Sequence, residues 1–370
     1  MPVNVSWQIS HPALSVQAGP PIPPATVRHV AEESSRRSCR GRALPRVGLL
    51  GNPSDLYGGK GLAFTFDDFE AVVTLEAAPT VQIDPGAAHG IDGAILTALP
   101  APPRHPDFDG AAPLLLSATR GFVRQFPEIA ERNAADGFRI TYQTDIPRQV
   151  GLAGSSALVV ATLRALSDWF AVELSPFDLA RLALDAEVED LGIAAGFMDR
   201  IALAFEGALA MDFADSLEES TVERIDPGRL PPLYLAWDPD GGESSGTVHA
   251  EIRRRWLDGD PEVRKAIDIF PGLVDEGLAC LEAGDFTGFH AAIDRNFDTR
   301  ASIWLIGERD RRMIEIARST GASAKFCGSG GAIMGSLSQH DDFPPLAKEL
   351  AAEGFESLVP TISHRSGKTS

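Results

Sequence analysis

The stretch from Phe138 to Phe170 constrains the fold of this chain more than any other. Phe138, Ile140, Tyr142, Thr144 and Ile146 alternate with Arg139, Thr141, Gln143 and Asp145, the two-residue period of a strand, and Pro147 ends it because proline cannot donate to a ladder. Ala157, Leu158, Val159, Ala161, Thr162, Leu163, Ala165 and Leu166 then read as a helix apolar on most faces, which belongs inside a protein body. Between the two lies Gly151-Leu152-Ala153-Gly154-Ser155-Ser156-Ala157. A strand passing through a glycine turn into a helix N-terminus presents free N–H groups and the positive end of the helix dipole, and phosphate is the usual guest of that arrangement. The plainer reading of the same segment is a tight turn packed for shape.

Two better-known phosphate signatures are absent. Gly367-Lys368-Thr369 has Ile362 where the first glycine of a P-loop belongs, and Gly328-Ser329-Gly330-Gly331-Ala332-Ile333 lacks the third glycine of the dinucleotide fingerprint. With 370 residues the chain is long enough for two domains, and its 44% hydrophobic and 23% charged residues are ordinary for a globular protein. No apolar run reaches the roughly eighteen residues of a membrane span. The net charge of -19 argues against nucleic-acid or anionic-membrane partners; an anionic small substrate stays possible through a local basic pocket. Cys39, Cys280 and Cys327 form no C-x-x-C pair, and the eight histidines show no ligand spacing, so a structural zinc site is not expected. The sparse, odd cysteine count fits a reducing, cytoplasmic setting.

Residues 1–43, rich in Pro, Ser and Arg, read as a disordered tail. Strands are expected at 46–51, 61–66, 71–76, 208–213, 233–237, 324–326 and 332–337. Helices are expected at 111–126, 157–170, 247–257, 261–283, 285–298 and 308–319, with a further one opening at Ser175-Pro176 and ending near Gly192, and another from Met198 or Asp199. Pro227, Pro231 and Pro232 mark a boundary, giving one lobe over 44–226, a second over 227–362 and a tail over 363–370. This is an α+β arrangement.

Two acids complete the reading. Glu187 and Asp199 lie twelve residues apart across a glycine-containing link. Phosphoryl transfer from ATP needs a carboxylate for Mg2+, a group that orients or deprotonates the nucleophile, and a phosphate cradle. Each acid also has a plain reading, Asp199 as a dipole-favoured acid at a helix start and Glu187 as a solvated helix face.

Together these segments resemble the GHMP kinase superfamily. Residues 186–199 are similar, without gaps, to the galactokinase segment whose first Glu binds Mg2+ and whose last Asp contacts the reacting sugar hydroxyl. Residues 147–157 resemble the superfamily's P-x-x-x-G-L-G-S-S-A-A motif with one residue more, Ala153. Ala324 to Ala332 looks like the third, glycine-rich motif, and Arg46 to Asp55 like the first. Within the superfamily the similarity is greatest to the glucuronokinases, through Leu49 to Asp55, Ile146-Pro147-Arg148-Gln149, Gly151-Leu152, Met211-Asp212-Phe213, Arg255 to Asp260 and Asn296-Phe297-Asp298. Phe197-Met198 departs from the Leu-Gln usual there.

The resemblance implies a two-lobed GHMP kinase fold, with an N-terminal ribosomal-protein-S5-like lobe and a C-terminal ferredoxin-like lobe. It implies ATP and Mg2+ as cofactors and a sugar or uronic acid, glucuronate foremost, phosphorylated at its anomeric hydroxyl. Asp199 and Arg46 are then catalytic; Gly151, Leu152, Ala153, Gly154, Ser155, Ser156, Ala157, Gly328, Ser329 and Gly330 bind ATP; Asn52, Asp55 and Asp199 bind substrate. Glu187 holds Mg2+ with Ser155 or Ser156. A uronate carboxylate also calls for a local cation, for which Arg46, Arg148, Arg200 and Arg253-Arg254-Arg255 are the candidates.

Overall fold

The computed structural model describes residues 38–84, 95–104, 110–132, 137–193, 195–213, 217, 219–241 and 246–364. In chain order the regular elements are β1 (Ser38–Ala43), β2 (Arg46–Leu50), β3 (Lys60–Thr65), β4 (Ala71–Ala78), β5 (Gln82–Ile83), α1 (Ala112–Gln125), α2 (Pro127–Arg132), β6 (Gly137–Thr144), α3 (Gly154–Phe170), α4 (Pro176–Asp185), α5 (Phe197–Phe205), β7 (Ala208–Asp212) and β8 (Thr221–Ile225). They continue with β9 (Leu233–Trp237), α6 (Gly246–Leu257), α7 (Pro261–Ala283), α8 (Phe286–Ile303), α9 (Glu308–Ser319), β10 (Lys325–Phe326), β11 (Ala332–Ser336), α10 (Phe343–Ala352) and β12 (Glu356–Leu358). Among the described residues three four-stranded sheets result, ordered β1-β4-β6-β5, β2-β3-β7-β8 and β10-β11-β9-β12. All neighbours are antiparallel except β5 and β6.

Helix α3 is apolar nearly all round because it is walled in by β1, β4, α1, α4 and α5. Strand β1 runs so close to it that a Cβ on Gly41 would lie 1.9 Å from the Ala161 carbonyl oxygen, which only glycine permits. Small residues on the helix, Ala161 and Ala165, make the same approach possible from the other side. Here the expected tail over 1–43 needs correcting, since Ser38–Ala43 is a strand paired in register with Ala71 to Glu76. The rest of that tail lies outside the described residues. The C-terminal boundary shifts as well. Ile362 bridges Phe66, and Ser363, expected in a tail, is buried with its hydroxyl against Thr65, so the end of the second lobe is tied to the sheet of the first.

Strand β9 explains how the halves are joined. Leu233, Leu235 and Trp237 point into one apolar core shared with the N-terminal elements, whereas Tyr234 and Ala236 point into a second core made by α7, α9 and α10. β11 divides in the same way, with Ala332 and Met334 on one side and Ile333 on the other. This sheet is a partition between two cores.

Candidate active site

The cradle forms where β6 hands over to α3. Gly151 has φ +77° and Ala153 φ +61°, both left-handed, and the helix begins at Gly154 with no side chain capping its first N–H groups. An uncapped N-terminus leaves donors for an anion. Against this loop lies the second glycine cluster, with Gly328 lying 177 residues beyond Gly151 in sequence. A Cβ on Gly328 would stand 2.3 Å from the Gly151 carbonyl oxygen, and one on Gly151 2.9 Å from the Ser329 nitrogen and the Gly330 oxygen. The two loops thus touch backbone to backbone, and side chains on those glycines would force them apart.

Beneath that contact sits Arg46, the first residue of β2, buried to 5% exposure. Its Nη1 donates to the carbonyls of Gly151 (3.1 Å) and Cys327 (2.9 Å), one from each loop, and its Nη2 donates to Asp199 Oδ1 in the first turn of α5. Glu187 lies nearby on a π turn, Ala186–Asp190, that continues α4. It is 1% exposed, accepts from Ser156 Oγ (3.0 Å to Oε1, 3.2 Å to Oε2) and from Arg200 Nε (2.6 Å), and burial raises its pKa against the pull of Arg200. Glu187 is therefore no solvated helix face. Arg200 also reaches toward Asp199 Oδ2 at 3.8 Å, so the two oxygens of Asp199 look at different arginines.

Asp55, in the 3-10 turn Ser54–Tyr57, accepts weakly from Met198 N (3.4 Å). Its pKa is pushed up to about 7, first by burial and then by the charge of Asp199. Three carboxyls (Asp55, Glu187, Asp199) face two guanidiniums (Arg46, Arg200), and a proton held by Asp55 near neutrality balances the set.

Sequence reasoning missed the cations under the glycine loops. Lys325 Nζ donates to the carbonyls of Gly48 (2.6 Å) and Phe326 (2.7 Å), and burial holds its pKa well below the usual lysine range. Arg300, whose pKa burial lowers to about 10, is stacked between Trp304 (4.3 Å) and Phe326 (4.9 Å) and donates to the Gly328 and Ser329 carbonyls (2.5 and 2.7 Å). In a chain with net charge -19 these two basic side chains are held on backbone carbonyls beneath the loops, and burial works against their charge. The lysine's neighbours in Ala324 to Ala332 were the available signal. Cys327 is buried, with its thiol pushed up to about 12 by burial, so it is no nucleophile.

The remaining expected residues divide. Ser156 meets Glu187, whereas Ser155 is exposed at the mouth of the cradle. Asn52 is buried with its carbonyl held by Asn296 Nδ2 (3.2 Å) and its own Oδ1 lacking a partner among the described residues; Asn296 Oδ1 also accepts from Gly51 N (2.8 Å), giving a structural purpose to the Asn-Phe-Asp run. Of the arginines considered for a substrate carboxylate, Arg46 and Arg200 are committed to acids inside the site, and Arg255 is tied to Asp260 (2.8 Å) and the Ile303 carbonyl (3.2 Å).

This constellation has relatives. The protein of Arabidopsis thaliana named probable glucuronokinase 2 is 36% identical over 304 residues, 79% of this chain and 82% of that protein. Glucuronokinase 1 of the same plant is 34% identical over 307 residues, 79% of this chain and 83% of that one. The family described as GHMP kinases N terminal domain matches residues 115–207. The chain belongs to the GHMP kinases. As a member of that family it is an ATP-dependent small-molecule kinase. Its fold agrees, for the crystal structure of Lactococcus lactis galactokinase complexed with galactose superposes with a TM-score of 0.70 over 90% of this chain and 96% of that one, at 16% identity. Among the described residues no helix of this GHMP kinase is long and apolar enough to cross a membrane.

Proposed function

We propose that this GHMP kinase transfers the γ-phosphoryl group of ATP to the anomeric hydroxyl of D-glucuronate, giving glucuronate 1-phosphate and ADP. One observation carries the reading: Arg46 binds both glycine loops and Asp199 with a single guanidinium, so the phosphate cradle and the acid that meets the sugar share one anchor. The choice of glucuronate rests on the two Arabidopsis relatives.

Asp199 orients the sugar hydroxyl and accepts its proton as the oxygen attacks phosphorus. Arg46, fixed by two carbonyls, offsets charge growing on the transferred group. The residues present also fit Mg2+. Glu187 and Ser156 offer two protein oxygens, which suits an ion that takes the rest of its shell from phosphates and water. Among the described residues no group of three or more acids, histidines or cysteines is placed to hold a metal alone, so the ion would enter with the nucleotide. When bound, Mg2+ neutralises the phosphate charge that the nucleophile must approach. Arg200 keeps Glu187 in place, and Ser156 is the serine of the cradle that we assign to the metal, with Ser155 left to the phosphates.

Asp199→Asn tests the reading. Loss of a general base costs about 10² to 10⁴ in rate, so ADP release with glucuronate should fall by that order while ATP still binds. Near-normal turnover by the folded variant would refute the role of Asp199. ATP and sugar binding without ADP release in the wild-type protein would instead mark it as a sensor.

A further inference from the structure

Resting on the reading of the two glycine loops as a phosphate cradle, we propose that Arg300 is the positioning residue for the nucleotide. It turns two successive peptides of the second loop so that their N–H groups face the phosphates, without itself touching them. Arg300 lies in the last turn of α8 and is 2% exposed. Its Nη1 donates to the Gly328 carbonyl and its Nη2 to the Ser329 carbonyl, two neighbouring acceptors that one planar fork reaches together. The loop sets the place of that fork, since Nε is left buried with no partner among the described residues. Trp304 and Phe326, at 4.3 and 4.9 Å, pack on the guanidinium and hold its plane.

A trans peptide points its C=O and its N–H in opposite directions. With the Gly328 and Ser329 carbonyls drawn onto Arg300, the N–H groups of Ser329 and Gly330 are turned the other way, toward the first loop. The distances agree, because a Cβ on Gly151 would stand 2.9 Å from Ser329 N and 3.3 Å from Gly330 N. Among the described residues neither N–H has a hydrogen-bond partner, and two adjacent open donors on one side of a turn make a nest for an anion. Other groups fix the flanks of this loop. Arg46 Nη1 donates to the Cys327 carbonyl (2.9 Å), and Asp310 Oδ1 accepts from Gly331 N (3.0 Å). The middle is left to Arg300. One turn earlier on α8, Asn296 holds Gly51 N and the Asn52 carbonyl, so one face of this helix sets both the nucleotide loop and the loop that leads to Asp55.

Two measurements test the assignment. In the wild-type protein, saturating ATP should shift the amide resonances of Ser329 and Gly330 and slow their hydrogen exchange, whereas adenosine should leave both alone. Amides indifferent to ATP, or moved as much by adenosine, overturn the cradle reading and this inference with it. Arg300→Lys keeps a charge under the loop but cannot span two carbonyls. In isothermal titration it should raise Kd for ATP about 10- to 100-fold, the loss of one hydrogen bond to a charged group, with the affinity for adenosine unchanged. A merely structural role would lower the folded fraction, and so the binding stoichiometry, at constant Kd. A wild-type Kd for ATP in folded Arg300→Lys, with the wild-type amides responding to ATP, overturns the role of Arg300 and leaves the cradle standing. Should Arg300→Lys not fold, Trp304→Leu keeps Arg300 but removes a ring that orients it; Kd for ATP should rise about 3- to 10-fold, and an unchanged value there overturns the assignment.

Discussion

Asp55 gives the sharpest test of the charge balance in the site. Its carboxyl rises from an ordinary 3.8 to about 7, first through burial and then through Asp199, against the Met198 N–H and the two arginines. A carboxyl that is harder to ionise in the fold than in the unfolded chain binds more protons when folded between those two values. Stability therefore falls as pH rises from 3.8 through 7 and stays reduced above it. The interval from 3.8 to about 7 amounts to about 4 kcal/mol at 1.36 kcal/mol per pH unit. Asp55 is only partly covered as a residue, which discounts the figure to about 2–4 kcal/mol. Asp55→Asn cannot ionise, keeps the shape, and can still accept from Met198. The variant should be more stable than the wild type by that amount at pH 8, with the advantage shrinking as pH is lowered from 7 toward 3.8. Urea unfolding of both proteins at pH 8, 6.5 and 5 measures it. A difference that does not vary with pH, or a variant less stable at pH 8, would refute the reasoning. Under the proposed function the stabilised variant should also show a raised KM for the sugar.

Two further outcomes follow from the cradle. Ser156→Ala removes the hydroxyl shared with Glu187 and should raise the Mg2+ concentration needed for half-maximal activity about 10- to 100-fold, while Ser155→Ala, at an exposed position, should move it far less; equal effects would contradict the assignment of the serines. Gly328→Ala drives a Cβ to 2.3 Å from the Gly151 oxygen and 2.9 Å from Arg46 Nη1, costing about 1–3 kcal/mol of stability and weakening ATP binding; isothermal titration with ATP and a thermal melt measure both, and unchanged ATP affinity would mean the loop contact is dispensable.

What the sequence made legible was local. The period of β6 and the apolar helix α3 follow from short-range patterning, and Ser175 caps α4 as expected, its hydroxyl accepting from Asp178 N at 3.1 Å. Asp260 caps α7 in the same way. β1 was hidden because it is short and basic, and its strand character comes from pairing with β4 and packing on α3, which no window of its own residues encodes. The meeting of the two glycine loops was legible only through the motif resemblance that put both at one ATP; the residues of neither segment encode the backbone contact between them. Motif order pointed to Glu187 and Asp199, but from the sequence Arg300 had no assigned role, and Lys325 stood there only as part of the third motif, although both are buried under the loops. Arg200, weighed as a partner for substrate, turned out to be a partner for Glu187.

The guanidinium of Arg46 bonds to groups 105, 153 and 281 positions away along the chain. Closing contacts of such separation is slow, because each needs the intervening chain to be largely ordered beforehand. A partly folded chain can therefore form a helix or a strand before the guanidinium of Arg46 has closed its bonds to both glycine loops and Asp199. Under the proposed function a chain without those bonds does not turn over ATP, and the onset of turnover during refolding would time the docking of its last pieces.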